Sequence, residues 1–253
     1  MGMIKAIREA FDDFVIAARI KPAITVGIPL ILMAFLNGIV NYKWIEAGLG
    51  LLLSLAVVSF AACIVRELGK TYEGKFYKTL GGMPTTIILR FSDDTIDSIT
   101  KVKYHKWLNE KIPDLQLPIS ENEENLDSQS DSKYESAANY LRICANSCRK
   151  QFPRVYQELK KYNYWRNLYG CKYYALILYG TLAIRELLII GKFDIMDIFR
   201  NPVPDYTMFL ILVVWCILFC WIVSKKTVKR NAFDYAKTLL ETVNAMPSDL
   251  MVK

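Results

Sequence analysis

Four long apolar stretches alternate with polar segments along this chain. They cover residues 23–42, 46–65, 172–190 and 206–223. A run of about 20 apolar residues is long enough to cross a bilayer as a helix. Only short segments join the first stretch to the second and the third to the fourth. The pattern therefore predicts an all-α protein with four transmembrane helices in two hairpins and a helical cytoplasmic domain between spans two and three.

The distribution of basic residues predicts the orientation of these spans. The first short connection carries Lys43, and the second carries Lys192 and Arg200. The N-terminus, the long middle segment and the C-terminal tail carry almost all the other lysines and arginines. Basic loops stay on the cytoplasmic side because translocating them is disfavoured. We therefore expect a bacterial inner (plasma) membrane protein with both termini and the middle segment in the cytoplasm.

Changes in composition along the chain predict five segments. Pro22 suits the first turn of a helix and marks the start of the first span. The segments are an amphipathic cytoplasmic helix 1–21, transmembrane hairpin 22–65, a helical cytoplasmic domain 66–170, transmembrane hairpin 171–224 and a cytoplasmic C-terminal helix or tail 225–253. The N-terminal helix would either pack on the cytoplasmic domain or lie in the headgroup plane, and the pattern suits both.

Within the middle segment, helix breakers and charge patterns predict further detail. Gly81 and Gly82 end a helix that extends the second span, and a short helix or strand follows Pro84. The acidic, serine-rich stretch 119–132 has little apolar content and predicts a mobile loop. After the fourth span, the apolar periodicity of the tail allows that span to continue into the cytoplasm as one helix.

Composition narrows the function classes. Hydrophobic residues make up 53% of the chain and charged residues 23%, which fits apolar spans joined to polar cytoplasmic parts. The net charge of +7 would suit nucleic acid, but the basic residues flank the spans, where anionic headgroups attract them. A nucleic-acid partner is therefore not expected. The six cysteines do not form a secreted disulfide framework, because they lie in spans or in the reducing cytoplasm.

The densest polar constellation follows the two glycines. Its members are Gly81, Gly82, Thr85, Thr86, Arg90, Asp93, Asp97, Thr100, Lys101, Tyr104 and His105. The spacing of Asp93, Asp97, Thr100 and Tyr104 predicts one shared helix face. Asp93, Asp94 and Asp97 form the DDxxD string that holds magnesium in isoprenoid enzymes, since hard cations prefer carboxylate oxygens. The same aspartates could instead cap a helix, and both interpretations stay open.

The single histidine, His105, limits the catalytic options further. No nucleophile motif surrounds it, so we expect an ordinary surface or hydrogen-bonded histidine. The chain has no other histidine for a zinc site. No Walker lysine follows the glycines, and no cofactor is predicted.

Arg185 and Glu186 are adjacent charges inside the third apolar stretch. Charges in hydrocarbon are costly and are often functional. They either reach the outer headgroups of a monomer or pair between subunits. The second stretch is rich in small residues that allow close helix packing, so a homo-oligomer is expected.

The constellation also carries a resemblance. The run from Leu80 to His105 resembles a signature, GGxPTTxxLR…D…D…TKxxYH, of uncharacterised bacterial multi-span membrane proteins. It covers about a tenth of the chain and implies no particular activity. The general layout resembles the small multi-span sensors and effectors of bacterial antiviral systems.

These observations predict a non-enzymatic, oligomeric membrane protein that couples a cytoplasmic signal, protein partner or small ligand to the bilayer. One alternative is a membrane-bound enzyme acting on a phosphate-bearing lipid or nucleotide at Arg90, Asp93, Asp94 and Asp97. The other alternative is a passive membrane scaffold.

Overall fold

The structure, a computed structural model, describes residues 12–40, 44–190 and 204–246. All regular elements in these ranges are helical, which confirms the all-α prediction. Residues 1–11 of the predicted amphipathic helix lie outside the described residues. So do Lys43 and the segment 191–203 with Lys192 and Arg200.

Ten helices are described. They are α1 (Asp13–Val15, a π-helical stretch Ile16–Ile20, then Lys21–Val40), α2 (Trp44–Leu80), α3 (Pro84–Leu89), α4 (Ser98–Lys111), α5 (Glu121–Leu126), α6 (Ser130–Ser147), α7 (Pro153–Gly170), α8 (Lys172–Ile190), α9 (Pro204–Ile222) and α10 (Lys225–Glu241). A 3-10 turn, Thr242–Asn244, follows α10.

The prediction that a helix starts at Pro22 is wrong. Pro22 lies inside the continuous helix α1 and does not begin it. Proline has no N–H, so the Ala18 carbonyl, which residue 22 would normally satisfy, is left free. The side-chain amide of Asn167 donates to that carbonyl at 2.6 Å. The helix therefore passes through Pro22 because another helix supplies the missing donor.

Two other helix ends follow from local chemistry. Helix α2 runs unbroken to Leu80 and stops at the Gly81–Gly82 turn, as predicted. The fourth apolar stretch does not continue as one helix, because α9 ends at Ile222 and α10 starts at Lys225. The Ser224 hydroxyl accepts the Thr227 N–H at 3.2 Å, which caps the new helix.

The chain divides into two compact units. The first comprises Met1–Tyr72 and Asn163–Val228, and the second Glu73–Tyr162 and Lys229–Lys253. Within the predicted middle segment 66–170, the second unit therefore covers only Glu73–Tyr162. It also includes the tail after Val228. Helices α2 and α7 each contribute residues to both units.

The first unit is held by close helix approaches and side-chain bonds to helix backbones. A Cβ on Gly170 would lie 2.7 Å from the Gly69 Cα atom, so two glycines let α2 and α7 touch. The Tyr179 hydroxyl donates to the Val26 carbonyl at 2.8 Å. The Lys172 ammonium donates to the carbonyls of Cys220 and Val223 at 3.0 and 2.7 Å, satisfying the end of α9.

The second unit has an apolar core built from α3, α4, α6, α7 and the C-terminal helix. Leu108, Leu141 and Leu239 in this core are fully buried. The amphipathic helix α10 turns its small and aliphatic face inward through residues such as Ala236. Burying this face accounts for the helical periodicity of the tail sequence.

The acidic stretch 119–132 differs from the predicted loop. Residues Glu121–Leu126 form α5, and the Ser120 hydroxyl caps its start. Ser130, at the start of α6, is 6% exposed and donates to the Asp127 carbonyl at 2.8 Å. The prediction of a stretch without regular structure is wrong, because carboxylates and hydroxyls here satisfy backbone donors and acceptors that water would otherwise serve.

By length and composition, Asp13–Met33 could cross a membrane, with a mean hydropathy of 1.7. Tyr206–Ile222 qualifies together with the helix after it. Among the described residues, the structure thus has one candidate span, or two if that pair is one broken span.

Candidate functional site

The predicted polar constellation lies in the second unit, around the turn between α2 and α3. Gly81 and Gly82 have φ angles of 79° and 148°, which favour glycine. The Arg90 Nη2 atom donates to the Gly81 carbonyl at 2.6 Å. A Cβ on Gly82 would come within 3.0 Å of the same nitrogen. The glycines therefore make room for an arginine, and we find no phosphate cradle in this turn.

Arg90 also forms a two-point ion pair. Its Nε and Nη2 atoms donate to the two carboxylate oxygens of Asp131, both at 2.8 Å. The hydrogen bond with Asp131 raises the pKa of Arg90 above its ordinary value. The planar guanidinium thus joins the glycine turn to the start of α6.

Lys101 is the most deeply buried cation of the constellation, with 2% of its surface exposed. Its ammonium donates to the Arg90 carbonyl at 2.6 Å and also to the Asp93 carbonyl. Burial lowers its pKa, while nearby carboxylates, with Asp93 first, oppose that effect. The lysine satisfies carbonyls at the end of α3 that have no helical partner.

The aspartate string has a capping geometry. The Asp97 carboxylate accepts the Thr100 N–H at 2.8 Å, and these hydrogen bonds lower its pKa. Asp93 accepts the Thr95 N–H at 2.9 Å in a local turn. Helix α4 begins only at Ser98, so Asp93 is not on a helix face with Asp97 and that prediction is wrong. Asp94 is exposed.

No three histidine, cysteine, aspartate or glutamate side chains in the described ranges come close enough together to hold a metal. The magnesium interpretation of Asp93, Asp94 and Asp97 stays a prediction from the sequence.

His105 is fully buried against α6 and the segment after α4. Its Nδ1 atom lies 2.6 Å from the Pro118 carbonyl, so Nδ1 carries the proton and donates. Its ring meets Phe91 edge-on at 5.2 Å and lies 5.3 Å from Tyr134. Burial lowers its pKa, which keeps the imidazole neutral. The hydrogen-bonded histidine expected from the sequence is what the structure contains.

The remaining predicted members play separate structural parts. Thr85 and Thr86 are buried on α3, and their hydroxyls have no hydrogen-bond partner among the residues that the structure describes. The Tyr104 hydroxyl, on α4, accepts from the Asn244 amide at 2.7 Å. Thr100 contributes its backbone to the cap of α4. These side chains do not converge on one reacting position.

Sequence reasoning missed two partners because it assigned them to a loop. Asp131 holds Arg90, and Glu124 accepts from the Tyr134 hydroxyl at 2.7 Å and from the Phe91 N–H at 3.0 Å. The available signal was charge. Two aspartates that follow Arg90 in the sequence accept hydrogen bonds from nearby backbone N–H groups. The acidic stretch 119–132 is therefore the nearest other source of a carboxylate that could pair with Arg90.

A polar groove of about 520 Å³ lies elsewhere in the second unit, between α7 and α10. Its lining residues are Arg154, Glu158, Lys161, Arg230, Asn231, Asp234, Lys237, Thr238 and Glu241. Arg154 approaches Glu241 at 3.7 Å, and Lys161 pairs with Glu158 at 2.7 Å. Its charges alternate in sign, so it suits a polar ligand or peptide that carries both donors and acceptors.

Arg185 and Glu186 belong to the first unit. Their side chains form an ion pair with each other, and Glu186 is 3% exposed whereas Arg185 stays outside. The structure places one charge within the helix bundle and its neighbour at the bundle surface. An intersubunit pairing of these residues remains a prediction.

No protein-family model, curated protein or solved structure matches this chain.

Proposed function

We propose that this chain is a non-enzymatic, multi-span protein of a bacterial inner membrane that couples a cytoplasmic signal to the bilayer. The apolar outer surface of the first unit is the observation that carries the proposal. Phe60 is 74% exposed, Ile177 67% and Trp221 79%. Other exposed large apolar residues of this unit are Leu32, Val57, Ile64, Ile184, Leu187, Leu210, Val214, Ile217, Leu218 and Ile222.

Such a surface suits lipid. Soluble monomers rarely expose contiguous apolar patches larger than a few hundred Å². Here the exposed residues occur on α1, α2, α8 and α9, which are the four helices that contain the apolar stretches. The proposal therefore keeps the predicted four spans, in two hairpins.

The charges of the first unit support the predicted orientation. Parts of α1, α2 and α7 lie at one level of the bundle. Asn167 on α7 contacts Ala18 on α1, and Gly170 on α7 approaches Gly69 on α2. Lys172 binds the end of α9 and marks the same end of α8. Basic residues cluster near this level: Arg19, Lys21, Arg66, Lys70, Lys172, Lys225 and Lys226. A basic end belongs on the cytoplasmic side.

Continuous helices support the coupling function. Helix α2 extends from apolar residues to Leu80, and α7 likewise has residues in both units. A stiff helix transmits a rotation or shift along its axis, whereas a flexible linker does not. The polar groove lined by Arg154 and Lys237 is our candidate position for the cytoplasmic ligand or protein partner.

The bonds of the polar constellation favour a non-catalytic protein over the enzyme alternative. Arg90 is engaged by Asp131 and Gly81, Lys101 by backbone carbonyls, and Asp97 by the α4 cap. A phosphate-transferring or lipid-modifying site would need such groups to converge on an open cavity.

Two measurements on the full chain test the membrane topology. Carbonate extraction should leave the protein in the membrane pellet, because the exposed faces of α8 and α9 lie in lipid. A reporter that is active only in the periplasm, fused after Lys253, should be silent. Release by carbonate or a strong periplasmic signal would contradict the membrane topology.

The oligomer is tested separately. Light scattering in mild detergent should give more than one subunit, and Arg185→Leu should weaken the assembly. Leu187→Ala is the matched control, since this exposed neighbour on α8 carries no charge. A clean monomer, with Arg185→Leu as stable as the wild type, would remove the oligomer and the role of the charged pair.

A further inference from the structure

An apolar groove of about 200 Å³ opens on the surface of the first unit between α1, α7 and α9. Its lining is almost entirely apolar and aromatic: Thr25, Tyr164, Trp165, Leu168, Trp215, Leu218, Phe219, Ile222 and Val223. Exposed apolar residues also occur on α1 and α9, among them Leu32, Leu210 and Trp221. The apolar lining of the groove suits part of a hydrocarbon chain.

The polar end of the groove has hydroxyls and lysines. The Thr25 and Tyr164 hydroxyls bond each other at 3.1 Å. Lys21 lies one turn before Thr25, whose hydroxyl donates to the Lys21 carbonyl at 2.9 Å. Lys225 and Lys226 follow the groove residue Val223 almost directly, and the side chains of all three lysines are exposed.

These lysines have no ion pair within the part of the chain that the structure describes. Lys172 differs, because its ammonium is bound to the carbonyls of Cys220 and Val223. Lys21, Lys225 and Lys226 thus lie within four residues of a groove-lining residue along the chain and have no ion pair among the described residues.

We propose that this groove binds one anionic phospholipid, with an acyl chain along Trp165, Leu218 and Ile222 and the headgroup phosphate at Lys21, Lys225 and Lys226. This inference rests on the membrane location proposed above. Basic pockets between membrane helices hold acidic headgroups in this manner. Tyr164 and Trp165 suit the boundary, because their rings are apolar while their polar atoms can face headgroups.

The combination of groove and charge selects a lipid over a free phosphate. Exposed lysines alone would attract any phosphate, whereas the apolar groove gains only from an acyl chain. Each buried methylene group improves binding about fourfold, the equivalent of about 0.8 kcal/mol. Each lysine near an anionic headgroup adds about fivefold, the equivalent of about 1 kcal/mol.

Native mass spectrometry of the full chain in mild detergent tests the proposal. The probes are phosphatidylglycerol and phosphatidylcholine with identical acyl chains, added at equal concentrations. The wild type should retain phosphatidylglycerol at least tenfold better. The Lys225→Gln, Lys226→Gln double variant should lose that preference, and Leu218→Trp, which fills the groove, should reduce retention of both lipids.

Matched controls separate the groove from general charge and apolar surface. Lys106→Gln with Lys150→Gln removes two exposed lysines of the second unit and should leave the preference intact. Leu210→Trp enlarges an exposed residue two turns earlier on α9 and should leave retention unchanged. Glycerol 3-phosphate, which has the phosphate without acyl chains, should not displace the lipid.

Equal retention of both lipids by the wild type, or an unchanged preference in the lysine variant, would overturn the proposal. Displacement by glycerol 3-phosphate, or unchanged retention in Leu218→Trp, would overturn the role of the groove. Carbonate extraction of the same samples keeps the two proposals apart. A protein that resists extraction but shows no lipid preference contradicts the lipid site alone.

Discussion

In both units of this chain, polar side chains bind backbone carbonyls, but the two units differ in where their large apolar side chains lie. In the first unit, Asn167 and Lys172 serve helix carbonyls, while many large apolar side chains face outward. In the second unit, the leucines around Leu108 face inward, and a buried lysine and a buried histidine bind backbone carbonyls. Both units use side chains to complete backbone hydrogen bonding, but most of the exposed large apolar side chains among the described residues belong to the first unit.

The difference indicates which forces hold each unit. Between helices in lipid there is no hydrophobic driving force, so close packing of small residues and polar contacts carry the association. In the first unit, Gly69 and Gly170 form a close contact of small residues at the end of the bundle that we propose to face the cytoplasm. The second unit relies on apolar burial, and its polar contacts fix the geometry of turns. The following substitutions probe that contrast.

The largest effect is expected at the glycine contact. In Gly69→Val, the new Cβ would lie 2.8 Å from the Asn167 Cα atom, so α2 and α7 must separate. Overpacking of this kind costs about 3 kcal/mol. Gly74→Ala on the same helix is the control, because nothing lies within 4 Å of its Cβ position. Thermal unfolding in detergent should show a lower midpoint for the first variant only, and equal midpoints would contradict the close contact.

A smaller loss is expected when Lys101 is replaced by methionine. The chain length is kept, but the Asp93 carbonyl loses this donor and the Arg90 carbonyl keeps only the Asp93 N–H, which costs about 2 kcal/mol. Lys106→Met, on the exposed face of the same helix, should be nearly neutral. Hydrogen exchange should accelerate in α3 and α4. A variant as protected as the wild type would show that the ammonium is dispensable.

The buried histidine should make the second unit sensitive to acid. Since burial depresses the folded-state pKa of His105, the unfolded chain takes up a proton near pH 6.5 while the folded chain does not. Stability is therefore full above pH 6.5 and falls as the pH drops below it, by about 1.4 kcal/mol for each unit of depression. Exchange protection of α4 between pH 5 and 8 measures this slope. His105→Gln should flatten it, and an unchanged slope would place the effect on other groups.

The smallest effect is expected at the Arg90–Asp131 ion pair. Asp131 is largely exposed, so solvent screens the pair and Asp131→Asn should cost about 0.5 to 1 kcal/mol. Glu135→Gln, one turn later on α6 and also exposed, is the charge-matched control. Denaturant unfolding of both variants gives the difference. A loss above that of Lys101→Met would mean that the pair, and not the buried lysine, fixes the turn.

Periodicity and helix breakers predicted most of the fold. The extension of α2 to Leu80, the break at Gly81 and the helix after Pro84 depend on neighbouring residues, so the sequence contains them directly. The path of α1 through Pro22 does not follow from local rules, because its donor, Asn167, is far away in the chain. The break at Ser224 was missed for the opposite reason, since the apolar periodicity on both sides hides a local cap.

The sequence indicated a polar cluster between Gly81 and His105 but did not reveal which of its side chains pair with which partners. The capping role of Asp97 is local and was one of two interpretations of the sequence. The partner of Arg90 could not be predicted, because it depends on how α6 packs beside the glycine turn. The prediction of a mobile loop in the acidic stretch rested on its low apolar content. That content gives no sign of the hydrogen bonds by which Glu124 joins Tyr134 and Phe91.

The bond from Asn167 to the carbonyl freed by Pro22 has a mechanical consequence. One amide is matched to one carbonyl, so α1 cannot slide or turn about its own axis by a single residue without leaving both groups unbonded in an apolar setting. The contact fixes the register of α1 against α7. A shift of α1 along α7 at this end of the bundle therefore breaks the bond and costs about 1 to 3 kcal/mol, which favours movement of the two helices together.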